Sequence, residues 1–184
     1  MRLKEKYTKE VIPAMMKKFG YKNKMAVPKI QKVVVNTSFG RLMATQKGEG
    51  AKKIQEAILE DLSLICGQRP VLTYAKKSIA GFKIRKGQPI GAKVTLRRNK
   101  MWDFLERVIN VALPRTRDFQ GIPKKSIDES SNLTLAFKEQ IVFPEIAPEK
   151  ANLIFGFEAS IVTTAKSREE AMELFKILGF PIKR

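Results

Sequence analysis

Hydrophobic and polar residues alternate with a period of two over residues 90–97, which is typical of a strand with one buried face. One face of this stretch is apolar and consists of Ile90, Ala92, Val94 and Leu96. The opposite face consists of Gly91, Lys93, Thr95 and Arg97. The pattern therefore predicts a strand that packs on a core on one side and presents cations to water on the other.

Three other stretches are predicted to be strands, because they are rich in β-branched residues or alternate in the same way. They are residues 29–36, 133–137 and 156–164. Residues 36–40, which follow the first of these strands, combine short polar side chains with a glycine. This composition predicts a turn.

Apolar residues spaced three or four positions apart predict helices. The first helix contains such residues from Leu3 to Met15, and Pro13 is expected to break or bend it. A second helix covers residues 54–65, and Gly67 is its expected C-cap residue.

A third helix is predicted over residues 100–113, and its wide apolar surface indicates that it is well buried. Asn99 is its expected N-cap, and Pro114 is expected to end it. Ser167 and Glu170 have the spacing of a capping box and begin the last helix. Because strands and helices do not alternate regularly, the predicted class is α+β, with helices on one sheet face and the other face open.

Charge is distributed unevenly along the chain. The 184 residues include 36 Lys and Arg against 18 Asp and Glu, a net charge of +18. Residues 1–125 hold 29 basic and 9 acidic residues (net +20), whereas residues 126–184 hold 7 and 9 (net −2). The sequence predicts a single domain over residues 1–184 whose strongly basic first part faces a nucleic acid and whose near-neutral second part faces something else.

The predicted amphipathic strand lies within the most basic part of the sequence. Residues 69–100, which begin with Arg69, contain ten Lys or Arg, and residues 62–102 contain no acid. A cationic strand face beside a cationic loop favours RNA phosphates. Two alternatives remain: a free-standing RNA-binding or chaperone-like protein, and an RNA-processing enzyme, although an enzyme needs acids near this face.

The residue content argues against most catalytic and metal sites. The chain has no histidine, and its single cysteine, Cys66, excludes an internal disulfide or a cysteine-based zinc site and agrees with a reducing, cytoplasmic compartment. The glycines of residues 87–93 are separated by three residues where a phosphate loop has four. We expect no enzymatic activity, cofactor, metal or membrane association.

Four motifs carry a resemblance to a known family. They are AKKSIAGFKIRKGQPIGAKVTLRR at residues 75–98, PRTRDFQGIPKKS at 114–126, EQIVFPEI at 139–146 and VTTAKSREEA at 162–171. The chain resembles the bacterial large-subunit ribosomal protein L5 family, which binds 5S rRNA in the central protuberance. The resemblance runs from Leu3 to Lys183 and implies a single two-layer α+β domain whose mostly antiparallel sheet holds RNA on its open, basic, concave face.

The resemblance also implies particular contacts. The family's polar residues on 5S rRNA match Asn36, Gln68 and Thr95, to which the basic pattern adds Lys93, Arg97 and Arg69. A loop over residues 76–86 is expected to contact peptidyl-site tRNA through Lys76, Lys77, Ser78, Gly81, Lys83, Arg85 and Lys86. Residues 126–149 are expected to bridge to a small-subunit head protein of the S13 family through Asp128, Glu129 and Glu145. Large-subunit rRNA and other 5S-associated proteins complete the expected partners.

The sequence departs from the family pattern at a few positions. Ser38 replaces a glycine that follows the asparagine, so the predicted turn is expected to differ locally if that glycine has positive φ. Residues 129–132 read Glu-Ser-Ser-Asn where the family commonly has Gly-Arg-Gly-Asn. Tyr74 stands where a basic residue is common, and the stretch 41–53 is a few residues longer than usual.

Overall fold

A computed structural model of the protein describes residues 2–45, 49–147, 149 and 153–183, with the side chains of Ala44 and Thr45 excepted. The described residues form a single α+β domain built on a five-stranded antiparallel open sheet with helices, which confirms the predicted fold class. The insertion expected within residues 41–53 lies partly outside the described residues.

The five strands are β1 (Ile30–Ser38), β2 (Val71–Tyr74), β3 (Pro89–Leu96), β4 (Leu133–Phe137) and β5 (Phe157–Thr163). The sheet has the order β2-β3-β1-β5-β4. The first helix, α1, consists of Leu3–Lys6, a π-helical segment Tyr7–Val11, and Ile12–Phe19. It is followed by α2 (Gly40–Thr45) and α3 (Glu49–Cys66). Helix α4 consists of Arg98–Arg107, a π-helical segment Val108–Ala112, and Leu113–Arg115, and the last helix is α5 (Arg168–Leu178).

Alternating burial along the strands confirms the period-two prediction. In β3, Ala92, Val94 and Leu96 are buried while Lys93 is exposed. In β1, Val33, Val35 and Thr37 are buried while Asn36 and Ser38 are exposed. Each of these strands therefore has one side in the core and one side facing solvent.

The domain contains two compact units, of which the first comprises the described parts of Met1–Val33, Arg97–Leu135 and Ala159–Arg184. Three helices pack together in this unit. Tyr7 of α1 packs against Trp102 of α4 with ring centroids 5.6 Å apart. Lys18 of α1 forms an ion pair with Glu173 of α5, with 2.7 Å between nitrogen and oxygen.

The second unit comprises the described parts of Val34–Leu96 and Ala136–Glu158. Its apolar core includes the predicted face of α3, where Ile58, Leu62 and Ile65 are fully buried. An aromatic cluster lies at the end of β4, where the rings of Phe137 and Phe157 stack at 5.1 Å.

Prolines were predicted to break or bend the first helix at Pro13 and to end the third at Pro114. The regular α-helix is interrupted before Pro13, in agreement with the first prediction, whereas the second is wrong by one residue. A five-residue π-helical segment ends two residues before Pro13 in α1 and two residues before Pro114 in α4. A π turn widens the backbone, which accommodates the missing N–H and the bulk of the proline ring. Each helix therefore continues past its proline, α1 to Phe19 and α4 to Arg115.

Two local predictions about polar residues are also wrong. The predicted turn at residues 36–40 is not formed, because β1 extends to Ser38 and Gly40 begins α2. Asn99 is not an N-cap, because α4 begins at Arg98 and the Asn99 side chain accepts a hydrogen bond from Lys4 Nζ at 3.2 Å. Tertiary pairing thus uses backbone and side-chain groups that would otherwise form local turns or caps.

The predicted N-cap of α5 is confirmed. Ser167 Oγ accepts a hydrogen bond from the backbone N–H of Glu170 at 3.2 Å. The reciprocal bond of the predicted capping box shifts by one residue, because the Glu170 carboxylate accepts from the N–H of Lys166 at 2.9 Å. Gly67 after α3 has a φ of +62°, in agreement with its predicted role as a C-cap residue.

The departure at residues 129–132 has a conformational consequence at Ser131. This residue has a φ of +65°, a left-handed conformation that glycine adopts without strain. Its carbonyl accepts a hydrogen bond from Thr163 Oγ1 at 2.8 Å, which fixes the backbone. Its own hydroxyl is buried and has no hydrogen-bond partner among the residues that the structure describes.

We therefore expect Ser131→Gly to raise the free energy of unfolding by about 1–2 kcal/mol. The substitution relieves a left-handed serine and removes an unsatisfied buried hydroxyl, and these gains exceed the entropy cost of glycine. Thermal and denaturant unfolding measure the change. The matched control is Ser130→Gly at the exposed neighbouring position, which should be neutral or slightly destabilising. Equal effects of the two variants would contradict this account.

Candidate nucleic-acid interface

The predicted RNA-contacting residues fall on the solvent side of the sheet strands and at their ends. Asn36 is exposed on β1 and Lys93 on β3, and Thr95 of β3 is half-buried. Arg69 and Arg97 are exposed, the first just before β2 and the second directly after β3. The alternation that predicted a basic strand face is therefore realised in the structure.

A hydrogen bond connects two of the polar residues implied by the family resemblance. Gln68, two residues after α3, is half-buried, and its Nε2 donates to the backbone carbonyl of Thr95 at 3.3 Å. This bond ties the segment after α3 to the end of β3. Gln68 therefore positions the backbone at Thr95, a role that its sequence context alone does not indicate.

Asn36 and Lys93 lie on neighbouring strands. The N–H of Phe39 donates to the carbonyl of Ile90 at 3.0 Å, and Gly91 lies against Ser38. Because the strands are antiparallel, two residues along each strand bring Asn36 to the level of Lys93. The two exposed side chains thus provide an amide and an ammonium group on one surface.

Glu158 is a polar residue of this surface that the sequence analysis missed. It is exposed on β5, and it lines a shallow groove together with Asn36 and Ser38. A carboxylate repels phosphate but accepts hydrogen bonds from ribose 2′-hydroxyls and base amino groups. The acid-free sequence window gave no sign of it, because β5 lies far from that window in the chain and next to β1 in the sheet.

The structure shows how the chain accommodates Ser38 in place of the glycine that is common in the family pattern. The residue lies within β1, and its backbone is extended like that of the rest of the strand. Its hydroxyl donates to the carbonyl of Ile90 at 3.3 Å. A glycine is therefore not required at this position, and the serine adds a bond between β1 and β3.

All charged side chains of the loop between β2 and β3 are cationic, and hydrogen bonds within the loop fix its backbone. The side chains predicted to contact tRNA are all exposed: Lys76, Lys77, Ser78, Gly81, Lys83, Arg85 and Lys86. Ile79 and Ile84 exchange two backbone hydrogen bonds of 3.0 and 3.2 Å. The Ser78 hydroxyl accepts from the N–H of Lys86 at 2.9 Å. Residues 78–86 therefore form a small hairpin that is held together by its own hydrogen bonds.

The three acids assigned to a subunit bridge have different environments. Asp128 is exposed, but its carboxylate accepts from the backbone and side-chain nitrogens of Asn132 at 2.7 and 3.1 Å. Glu129 is exposed, and Glu145 is half-buried beside a groove that Asp61 and Leu64 also line. Of the three, Asp128 therefore has a structural role in its turn.

The described residues contain no group of three or more His, Cys, Asp or Glu that is suited to hold a metal ion. Among the helices in the described part of the chain, none has the length and apolarity needed to cross a membrane. Burial raises the pKa of the Asp61 carboxyl, and a hydrogen bond from Gln140 partly offsets this effect.

Comparison with known families and proteins gives matches over nearly the whole chain. Residues 23–85 match the family described as Ribosomal protein L5, and residues 89–182 match the C-terminus of the same ribosomal protein family. Large ribosomal subunit protein uL5 of Clostridium acetobutylicum is 52% identical over 180 residues, which cover 98% of this chain and 97% of the relative. The uL5 protein of Carboxydothermus hydrogenoformans is 49% identical over 183 residues, which cover 100% and 99% of the two chains.

The fold, the basic strand surface and these matches define a structural, non-enzymatic protein of the large ribosomal subunit. Both relatives are proteins of the large ribosomal subunit. The chain belongs to the ribosomal protein L5 family, as the motifs in its sequence predicted.

Proposed function

We propose that this ribosomal protein binds 5S rRNA through the exposed side of β1 and β3 and helps attach that RNA to the large subunit. The observation that carries the proposal is the cationic, solvent-facing side of β3, where Lys93 is exposed and Gln68 fixes the backbone at Thr95. Lysine supplies phosphate contacts, and the polar groups suit 2′-hydroxyls in the shallow minor groove of structured RNA. The resemblance of Asn36, Gln68 and Thr95 to family residues that contact 5S rRNA supports the same surface.

Alanine at Asn36, Gln68 or Thr95 is expected to weaken 5S rRNA binding by about 1–3 kcal/mol each. Lys93→Gln should weaken binding and lower the slope of log affinity against log salt by about one. Filter binding of 5S rRNA over a salt series measures both quantities. The wild-type slope should correspond to roughly six or more neutralised phosphates.

Two variants make this experiment selective for the proposed surface. Lys52→Gln removes the same charge from an exposed position on α3 and should leave the salt slope nearly unchanged. Glu158→Gln removes a negative charge beside Asn36 and should strengthen binding at low salt while reducing discrimination against unrelated RNA. If Lys52→Gln weakens binding as much as Lys93→Gln, the affinity comes from overall charge and the surface assignment is wrong.

We also propose that the loop at residues 76–86 contacts peptidyl-site tRNA. Its exposed cations and internal hydrogen bonds support a preformed contact with phosphates. Replacement of the loop by a short Gly-Ser linker should leave most 5S rRNA binding intact and weaken tRNA retention on assembled ribosomes. A loss of 5S rRNA affinity as large as that of the strand variants would assign the loop to the first site.

The near-neutral part of the chain is proposed to form a bridge to a basic protein of the small-subunit head. Exposed Glu129 and half-buried Glu145 support a contact with a cationic partner. Because Asp128 stabilises its own turn, Glu129→Lys is the cleaner test: it should slow subunit joining at low salt. Glu169→Lys on α5 makes the same charge change at another exposed position. Equal slowing by both variants would exclude a bridge at Glu129.

A further inference from the structure

Exposed apolar side chains are concentrated around the loop between β2 and β3. Among the described residues, the large apolar side chains that are exposed include Val71 (62%), Tyr74 (56%), Ile79 (47%) and Phe82 (68%). Isolated exposed apolar residues are common on protein surfaces, but a cluster within twelve consecutive residues is not. Phe82 is the most exposed of these four and lies at the loop tip.

The backbone of the loop holds Phe82 in a defined position. It is the last residue of a 3-10 turn, Ala80–Phe82, and the N–H of Lys83 closes this turn onto the carbonyl of Ala80 at 2.9 Å. Lys83 then takes a left-handed φ of +53°, which reverses the chain so that Ile84 pairs with Ile79. Hydrogen bonds within the loop therefore fix the backbone that carries the aromatic ring. Because this backbone is already ordered, binding costs little backbone conformational entropy.

The charge around Phe82 selects the class of partner. Lys76, Lys77, Lys83, Arg85 and Lys86 are all exposed on the same loop. The sequence has no acid between Asp61 and Asp103. A protein surface that covered this ring would need to be strongly acidic, whereas RNA offers both phosphates for the cations and flat apolar base faces for the ring.

We propose that Phe82 is a stacking site for an exposed nucleobase of RNA. The inference rests on the proposed contact of this loop with tRNA and adds that the loop binds a base as well as phosphates. Aromatic stacking on bases tolerates any sequence, because every base has a π face. A contact that tolerates any base suits tRNA, because a different tRNA of the same overall shape is bound in each round of translation.

The test uses large subunits assembled with variant proteins and measures the dissociation rate of tRNA from the peptidyl site at two salt concentrations. Phe82→Ala removes the ring, Phe82→Tyr keeps an aromatic face, and Phe82→Leu keeps an apolar but non-planar side chain. A double variant, Lys83→Gln with Arg85→Gln, removes charge at the same tip. The affinity of each free protein for 5S rRNA is measured in parallel.

We expect Phe82→Ala to accelerate tRNA dissociation by roughly 5- to 100-fold at both salt concentrations. Phe82→Tyr should be close to wild type, Phe82→Leu should resemble alanine, and the charge variant should lose its effect at high salt. Thermal unfolding should not change, because the Phe82 side chain is 68% exposed. Loss of 5S rRNA affinity with rescue by tyrosine would also support stacking, with the base then supplied by 5S rRNA.

Three results would overturn the inference. If Phe82→Ala behaves as wild type in both assays while the charge variant releases tRNA, the loop contacts phosphates alone and the proposed function stands without stacking. If neither the Phe82 variants nor the charge variant changes either assay, the proposed tRNA contact fails as well. If alanine, leucine and tyrosine are equally defective, the ring has a role that depends on its shape and not on stacking.

Discussion

Replacement of Gly91 by alanine is expected to lower the free energy of unfolding by about 3 kcal/mol and to abolish most 5S rRNA binding. Gly91 lies in β3, which is the neighbour of β1 in the sheet. A Cβ atom on this residue would lie 2.5 Å from the backbone oxygen of Thr37 and 2.8 Å from Oγ1 of Thr73. Because the nearer atom belongs to the backbone, the two strands would have to separate.

The same substitution at Gly81 is the matched control. A Cβ atom there would meet no heavy atom within 4 Å, and the backbone does not require positive φ. Gly81→Ala should therefore change stability by less than about 0.5 kcal/mol or slightly raise it by restricting the unfolded chain. Denaturant unfolding and filter binding of 5S rRNA would be compared for the two variants.

A double variant distinguishes between the two contacts that the added Cβ atom at position 91 would make. Thr73→Ala removes the side-chain oxygen, but it leaves the backbone oxygen of Thr37 in place. Gly91→Ala with Thr73→Ala should therefore remain strongly destabilised. Full recovery of stability in the double variant would contradict the strand-separation account and assign the cost to the threonine side chain.

Replacement of Gln140 by alanine is expected to cost about 3 kcal/mol or more of unfolding free energy. Gln140 is completely buried, and its amide connects three parts of the second unit. Its Nε2 donates to the carbonyl of Leu153 and, at 3.3 Å, to the carboxylate of Asp61, while its Oε1 accepts from the N–H of Phe155 at 3.0 Å. Alanine would leave a cavity and two backbone groups without partners.

Gln140→Glu tests the direction of these hydrogen bonds. An ionised carboxylate can still accept from Phe155, but it cannot donate to Leu153, and it repels Asp61. Burial and Asp61 would raise its folded-state pKa above the unfolded value, so the folded state binds the proton more tightly. The destabilisation should therefore be largest at neutral pH and should shrink as the pH falls towards about 4–5.

The exposed Gln120, whose Oε1 accepts from Lys183 Nζ at 3.2 Å, provides the control for both variants. Gln120→Ala should change stability by less than about 0.5 kcal/mol. Urea unfolding at several pH values measures all three proteins. A pH-independent loss in Gln140→Glu would mean that the buried amide is not needed as a donor.

Gly91 matters for function because it lies in the part of the sheet that carries the proposed RNA surface. Gly91 permits the close approach of β1 and β3, which brings Asn36 to the level of Lys93. The backbone oxygen of Thr37 lies close to Gly91. The Thr37 hydroxyl donates to the carbonyl of Gly156, directly before β5, at 2.7 Å. The surface chemistry thus depends on buried contacts directly beneath it.

The sequence by itself determined the elements whose signal is periodic and long. Alternation defined β3, apolar spacing defined α3 and α5, and the composition separated a basic part from a near-neutral part. These patterns persist in the structure because burial of a strand face or helix stripe makes the largest favourable contribution to folding and repeats along the chain. The motifs also identified the family, and through it the class of partner.

Only the three-dimensional structure decided the features that have no periodic signal in the sequence, and several of these depend on contacts between distant segments. Pro13 and Pro114 remain inside helices because π turns accommodate them, and Asn36 lies in a strand because β3 pairs with β1. Ser131 takes a left-handed conformation that a bond from Thr163 fixes. Glu158 lies beside Asn36 on the proposed RNA surface, and hydrogen bonds within the loop hold Phe82 at an exposed position. The π turns and the hydrogen bonds of the loop that holds Phe82 are local, but they leave no periodic pattern in the sequence. At Asn36 and Ser131, a local preference of about 1 kcal/mol yields to packing and hydrogen bonds whose partners are far apart in sequence.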